Sequence, residues 1–368
     1  VLEGGRAEAG PRPIAKAGFG HRMNNIGQLA MKDGLEARDR DWLLPSAVLT
    51  LLLGLAALLL MPAAGYDHVP PYFSRFLNWM VYALFGALLV LLLQVVGMRK
   101  AGIESPIAEL KARAIAIRMS LLSALAGMML AGIDMLFFMW IKPEVTAVAP
   151  FWVDKPLADI DHAIFGTDPW RLFTGFDLTF HAWAYSFFWA VAIMATLVWL
   201  FASKPSIERS TSLLSYFVLW SIFGPIGQYF FSSAGPIFYA RAGLGNRFDE
   251  LAANIPEVTQ KISGYLWSMH ANGEPGVGAG ISAMPSLHIA TVSWIVLAFA
   301  GARSRLTPLT IVFAVYIWAM SVALGWHYAI DGIAGALGAV ASHAAARRYM
   351  KGRARTVQLT EEPLLAMR

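Results

Sequence analysis

The chain has 368 residues, of which 57% are hydrophobic and only 14% charged, a balance that excludes an ordinary soluble globular domain and fits a membrane protein. It contains no cysteine, which excludes disulfides and any thiolate nucleophile or thiolate metal site. The formal net charge of +5 needs no nucleic-acid partner, because the placement of the basic residues along the chain gives it a simpler cause.

About 43 mixed polar and charged residues precede the first apolar run, without a small-residue cleavage pattern, so that run is expected to be a retained helix and not a signal peptide. Apolar patterning predicts helices at 44–62, 76–98, 119–141, 182–202, 213–235, 286–302, 308–324 and 327–346. The longer runs approach the roughly 20 residues that cross a hydrocarbon layer. Lipid offers no partners to the backbone, which makes such runs helices. The expected architecture is all-α: a polytopic transmembrane helical bundle of about eight crossings over 44–346, between an N-terminal segment, 1–43, and a basic tail, 347–368.

With odd-numbered helices running outward, one side of the membrane receives 22 of the 29 Lys and Arg residues and the other receives 7. The positive-inside rule then predicts cytoplasmic termini. Arg347, Arg348, Lys351, Arg353 and Arg355 read most simply as a topology anchor beside anionic lipid. The long outer segments, about 142–181 and 236–285, carry Trp152, Trp170, Phe173, Phe176, Tyr265 and Trp267 and are expected to lie along the interface, in a position to cover a site. No inverted repeat of the kind found in secondary transporters is visible.

Two histidines fall at the outer ends of C-terminal helices, in Ala283-Met284-Pro285-Ser286-Leu287-His288 and in Gly325-Trp326-His327-Tyr328-Ala329-Ile330-Asp331. The topology brings both to one depth. Pro285 and Ser286 have the character of a helix start, where a phosphate would find unpaired backbone N–H donors. His327 and Asp331 are four residues apart, so on a helix they share a face and the carboxylate would hold one ring nitrogen while the other reaches a cavity. A neutral imidazole held in this way is a nucleophile or a base. Gly332, Gly335 and Gly338 read as close-packing positions.

Residues 283–288 and 325–331 resemble the second and third signature motifs of the type 2 phosphatidic acid phosphatase superfamily of membrane enzymes. The form Met-Pro-Ser-Leu-His is similar to the branch that contains fungal inositol phosphorylceramide synthases and their bacterial relatives. The stretches 234–239 and 159–169 look like the same branch, and the likeness extends over roughly 159–346. The resemblance implies a six-helix catalytic core, no cofactor and no metal. It also implies that His327 attacks phosphorus to form a phosphohistidine, that Asp331 orients it, and that His288 protonates the leaving alcohol. The implied partners are a phospholipid donor and a lipid or polyol hydroxyl acceptor, or water in a phosphatase. The implied location is a bacterial inner or plasma membrane, with the site on the extracytoplasmic face.

The chain departs from the phosphatase pattern in two places. The arginine expected six residues before the third-motif histidine is replaced by Ser321, and the first motif, a Lys with a distant Arg-Pro, is not visible as such. Fewer fixed cations suit a singly charged phosphodiester better than a phosphomonoester, which favours transfer over hydrolysis. Replacement cations are expected among Arg171, Arg241, Arg247 and Lys261. Tyr239 reads as a head-group contact or an interface anchor, and His270 and His162 as weaker head-group contacts. Asp134, inside the third apolar run, either faces the cavity or pairs with a polar neighbour. A transporter or flippase would also explain the helices, but the candidate residues gather on one side.

Overall fold

The computed structural model describes residues 35–60, 69–116, 118–273 and 278–366. The N-terminal segment before residue 35 lies outside them. Thirteen α-helices follow in chain order among the described residues: α1 (Leu35–Leu60), α2 (Val69–Lys100), α3 (Pro106–Ala116), α4 (Arg118–Val148), α5 (Asp154–Phe165), α6 (Thr179–Ala202), α7 (Ile207–Val218), α8 (Gly224–Phe230), α9 (Asp249–Asn254), α10 (Glu257–Asn272), α11 (Leu287–Gly301), α12 (Thr307–Ala323) and α13 (Ala329–Ala366). A π turn, Leu219–Phe223, joins α7 to α8 into one rod.

Six of these rods are long and apolar enough to cross a membrane: α1, α2, α4, α6, α7–α8 and α13. The apolar helices α11 and α12 are shorter, with 15 and 17 residues. Leucines on α1 and α2 remain exposed, among them Leu59, Leu84 and Leu92, which is the surface expected of helices solvated by lipid.

The bundle closes around α7, α11 and α13, with α1 and α4 packed together beside them. Its largest apolar cluster includes Trp42, Phe138, Trp220 and Trp294. A buried ion pair ties two of its helices together. Arg209 on α7 meets Asp39 on α1 at 2.5 Å, both almost fully buried, and the Trp42 indole donates to the same carboxylate at 3.0 Å. Three glycines of α13 face large or backbone neighbours: a Cβ would strike Trp318 at Gly332, the Ser286 carbonyl at Gly335 and Phe223 at Gly338. Gly335 lets α13 cross α11 at its first turn, which brings Asp331 up to Ser286.

Several expected boundaries move. The helix expected to reach residue 235 stops at Phe230, because the backbone N–H groups of Ala234 and Gly235 turn to the Asp154 carboxylate instead of to helical carbonyls. Gly235 holds a φ of 87°, and Pro236 has no N–H to continue a ladder. The third helix runs past Ile141 to Val148, through Pro143. The basic tail is the continuation of α13, and Arg353 pairs with Asp41 near the start of α1. The outer segments fold into α5, α9, α10 and short 3-10 turns lying over the ends of the rods.

Candidate active site

His288 follows the start of α11. Ser286 is the N-cap, its hydroxyl accepting from the Ile289 N–H at 3.4 Å, and its own N–H donates to the Asp331 carbonyl at 3.2 Å. The serine oxygen is thereby used inside the fold. It does not line the cavity. The His288 ring lies against Tyr185 and Trp189 of α6, with centroids 4.9 and 4.2 Å away. Both aromatics stand on one face of α6, four residues apart.

His327 sits in the turn before α13, not on the helix. Gly325, at a φ of 75°, bends the chain after α12, and α13 begins only at Ala329. The ring therefore does not share a helical face with Asp331 as the spacing predicts. Its Nδ1 lies 2.7 Å from the Ala283 carbonyl oxygen and 3.6 Å from Asp331 Oδ2. A carbonyl can only accept, so Nδ1 carries the proton and Nε2 presents a lone pair. At 3.6 Å the carboxylate is a neighbouring charge and not a hydrogen-bond partner. Asp331 Oδ2 instead accepts from the Tyr328 N–H at 2.9 Å, and Asp331 is fully buried.

The two histidine rings face each other with centroids 6.0 Å apart. They share the wall of a cavity of about 250 Å³. Met135, Trp189, Trp220, Phe238, Leu266 and Trp326 give it a mostly apolar surface; Ser186, Gln228, Ser282 and Lys142 add polar groups. Phe238 and Leu266 come from the second long outer segment, which so covers the site. A phosphorus atom in near-attack geometry stands about 3 to 3.5 Å from its nucleophile.

Lys142 was not among the expected site residues. Taken as the first residue after an apolar run, it reads as a generic interfacial lysine; the extension of α4 carries it onto the cavity wall instead. Among the described residues it forms no ion pair.

The cations expected to bind phosphate lie elsewhere. Arg247 donates to Asp168 at 2.7 Å, to Asp159 at 2.6 Å and to the Ala158 carbonyl at 2.9 Å. Its bonds first to Asp168 and then to Asp159 push its proton affinity further up, and they leave its guanidinium committed to α5 and the turn that follows it. Arg171 pairs with Glu250, and Lys261 with Glu257 one turn before it on exposed α10. Arg241 reaches only the Ser263 carbonyl, at 3.5 Å. Tyr239 is buried against Phe248. His270 packs between Phe151 and Trp267, where burial lowers its pKa, and the exposed His162 ring lies 3.5 Å from Asp168. Asp134 takes the second of its two expected arrangements: its Oδ1 accepts from Thr50 at 2.9 Å and Ser221 at 2.6 Å, tying α1, α4 and the π turn together. None of these side chains lines the cavity.

Two carboxylates of α5 were also missed as site residues. Asp154 accepts from Ser233, Ala234, Gly235 and the Tyr328 hydroxyl, and Asp161 from the N–H groups of Ala329 and Ile330. Burial pushes the Asp161 carboxyl up from the usual range while those two N–H groups pull it down. Burial first, with the charge of Asp154 beside it, raises the Tyr328 phenol well above its ordinary value and keeps it a donor.

Residues 172–345 match the family model described as the PAP2 superfamily. The matched region contains α6 to α12, both histidine turns and the start of α13, so His288, His327 and Asp331 fall within it and Lys142 does not. Lys142 is followed at a distance by Ala149-Pro150, a Lys ahead of Ala-Pro where the PAP2 first motif has a Lys ahead of Arg-Pro. That spacing is the one signal by which the sequence could have singled it out. No curated protein and no solved structure matches the chain.

Proposed function

We propose that the protein is a membrane phosphotransferase of PAP2 type that takes a phosphoryl-containing head group from a lipid phosphodiester and passes it to a lipid or polyol hydroxyl. The observation that carries this reading is the facing pair of rings: His327 with its Nδ1 proton committed to a carbonyl, and His288 6.0 Å away across one cavity. His327 Nε2 attacks phosphorus, the bond to the leaving oxygen breaks, and His288 delivers the proton that oxygen needs. The acceptor hydroxyl then returns its proton to His288 and takes the phosphoryl group from His327. Asp331 offsets the positive charge on the substituted imidazole.

Among the described residues Lys142 supplies the one cation on the cavity wall, and one positive charge matches the single charge of a phosphodiester. The mostly apolar lining suits a glycerolipid or sphingolipid backbone. The Met-Pro-Ser-Leu-His form of the second motif supports an activity like that of inositol phosphorylceramide synthases, with a polyol head group transferred between lipids. A radiolabelled phospholipid mixture, given with and without long-chain and polyol alcohols, tests the reading. The expected product is a new phosphodiester lipid that requires the added alcohol. Release of inorganic phosphate or a free phosphorylated head group in its place would make the protein a phosphatase or a hydrolase, and no product with any lipid would return the transporter reading. Lys142→Met is expected to weaken use of the lipid by about 2 to 5 kcal/mol, as for loss of one partner of a buried charge pair.

The reading includes eight crossings, with α11 and α12 spanning despite their length, both termini cytoplasmic and the histidines extracytoplasmic. The cysteine-free background makes the test direct. An impermeant thiol reagent is expected to label Lys155→Cys, at an exposed position, but not Arg353→Cys in intact cells, and the opposite pattern would invert the orientation.

A further inference from the structure

Helix α5 lies over the site and yet contributes nothing to its wall. Its buried face is Asp154, Leu157, Ala158 and Asp161, a stripe at helical spacing in which two of four positions are carboxylates. Burying a carboxylate costs more than burying a leucine unless the charge is met by donors. Here each oxygen is met. Asp154 takes the backbone N–H groups of Ala234 and Gly235, and Asp161 takes those of Ala329 and Ile330 at 2.6 and 3.0 Å.

The second pair explains an oddity of α13. A helix begins with four N–H groups that have no carbonyl partner, and a Ser, Thr, Asp or Asn at the N-cap ordinarily supplies one. The residue before Ala329 is Tyr328, which cannot, and whose hydroxyl is turned to Asp154. The cap comes instead from Asp161, 168 residues earlier in the chain. The next residue inward, Asp331, bonds back to the Tyr328 N–H, so the turn that carries His327 is held from both sides. The loop on the other side of His327 is anchored similarly: the Ala283 N–H donates to the Ser233 carbonyl beside the Asp154 site, and Ala283 is the residue whose carbonyl holds His327 Nδ1. The two buried carboxylates of α5 therefore grip the two pieces of backbone that define the His327 ring, and Arg247 grips α5 through Asp159 and the Ala158 carbonyl.

We infer that Asp161 is a positioning residue: by capping α13 from another helix it sets the distance between the turn bearing His327 and the Ala283 carbonyl, and so keeps the attacking nitrogen aimed at the cavity. The inference rests on the reading of His327 as the attacking group. Misplacement of a reacting group by about 1 Å costs on the order of 10²-fold in rate. Asp161→Ala is thus expected to lower kcat about 10²-fold with KM unchanged, since Lys142 and the cavity wall are untouched. Asp161→Asn keeps one acceptor oxygen and ranks beside Asp as a cap, and is expected to recover most of that loss. A second readout needs no turnover. Diethyl pyrocarbonate modifies unprotonated imidazole, and peptide mass spectrometry gives its rate on His327 relative to His288 in the same detergent-solubilised molecule. That ratio is expected to change in Asp161→Ala and to return towards the wild-type value in Asp161→Asn. An unchanged ratio in both variants, or a wild-type kcat in Asp161→Ala, would overturn the inference, as would a fall in kcat that Asp161→Asn fails to repair while its melting temperature is normal. Absence of phosphoester turnover in the wild-type protein would sink the proposed function alone, and the modification ratio would still decide the role of Asp161.

Discussion

Replacing His327 by glutamine is expected to abolish phosphoryl transfer, with a loss on the order of 10⁵- to 10⁶-fold, as when a covalent nucleophile is removed elsewhere. Glutamine fills a similar volume, and its amide N–H can still donate to the Ala283 carbonyl, so the surrounding turn should survive. What disappears is the lone pair on Nε2. Rapid quench of the wild-type protein with a phosphorus-labelled lipid should trap an acid-labile, base-stable adduct in the peptide containing His327, and the variant should give none. An adduct that persists on His288 in the variant would mean that the two histidines exchange roles. No adduct under conditions that resolve the chemical step would favour direct transfer between donor and acceptor. Asp331→Asn should be milder than a carboxylate-held imidazole would imply. The Ala283 carbonyl sets the tautomer without Asp331, which leaves the carboxylate to balance charge and to hold the Tyr328 N–H. A loss nearer about 10²-fold than 10⁴-fold is expected.

That difference shows where sequence reasoning reaches and where it stops. Long apolar runs declare helices because lipid leaves the backbone no alternative, and the positions of α6, α11 and α12 follow closely from them. The short histidine motifs are legible because their chemistry depends on residue type, and both rings do meet at one cavity. The partners of those rings are less legible. A backbone carbonyl such as that of Ala283 has no letter in the sequence, so the four-residue spacing to Asp331 attracts an assignment that belongs mainly to a main-chain oxygen. The cations fail for a related reason. Arg241, Arg247 and Lys261 are visible as outer charges, but whether an arginine is free or spent depends on distant acids: Asp168 and Asp159 absorb Arg247 across some 80 residues of chain. Lys142 was hidden by the assumption that an apolar run ends at its first charge, whereas a lysine stem can remain in the helix and direct its ammonium into a cavity.

His288→Ala is expected to give the second largest effect, about 10²- to 10⁴-fold on transfer from a natural lipid, because an alkoxide is a poor leaving group unless a proton reaches it as the bond breaks. Among the described residues His288 accepts no hydrogen bond from a side chain and is bound by none to a carboxylate; its contacts are the faces of Tyr185 and Trp189. Such a ring is held in place by its aromatic neighbours while it lines the cavity with no hydrogen bond to a protein side chain among the described residues, which suits a group that must both give and receive a proton in one cycle. The same variant acting on an ester with a nitrophenolate leaving group, which departs without protonation, should recover much of its rate in the first half-reaction. Return of the phosphoryl group to an alcohol should remain slow, since the acceptor hydroxyl then has no base, and the His327 adduct should accumulate. Equal losses for the natural lipid and the activated ester would show that His288 acts on binding or on ring packing and not on the proton. A stable adduct that forms quickly from the activated ester and is discharged only by a strong external nucleophile would fix its role as the proton carrier of both steps.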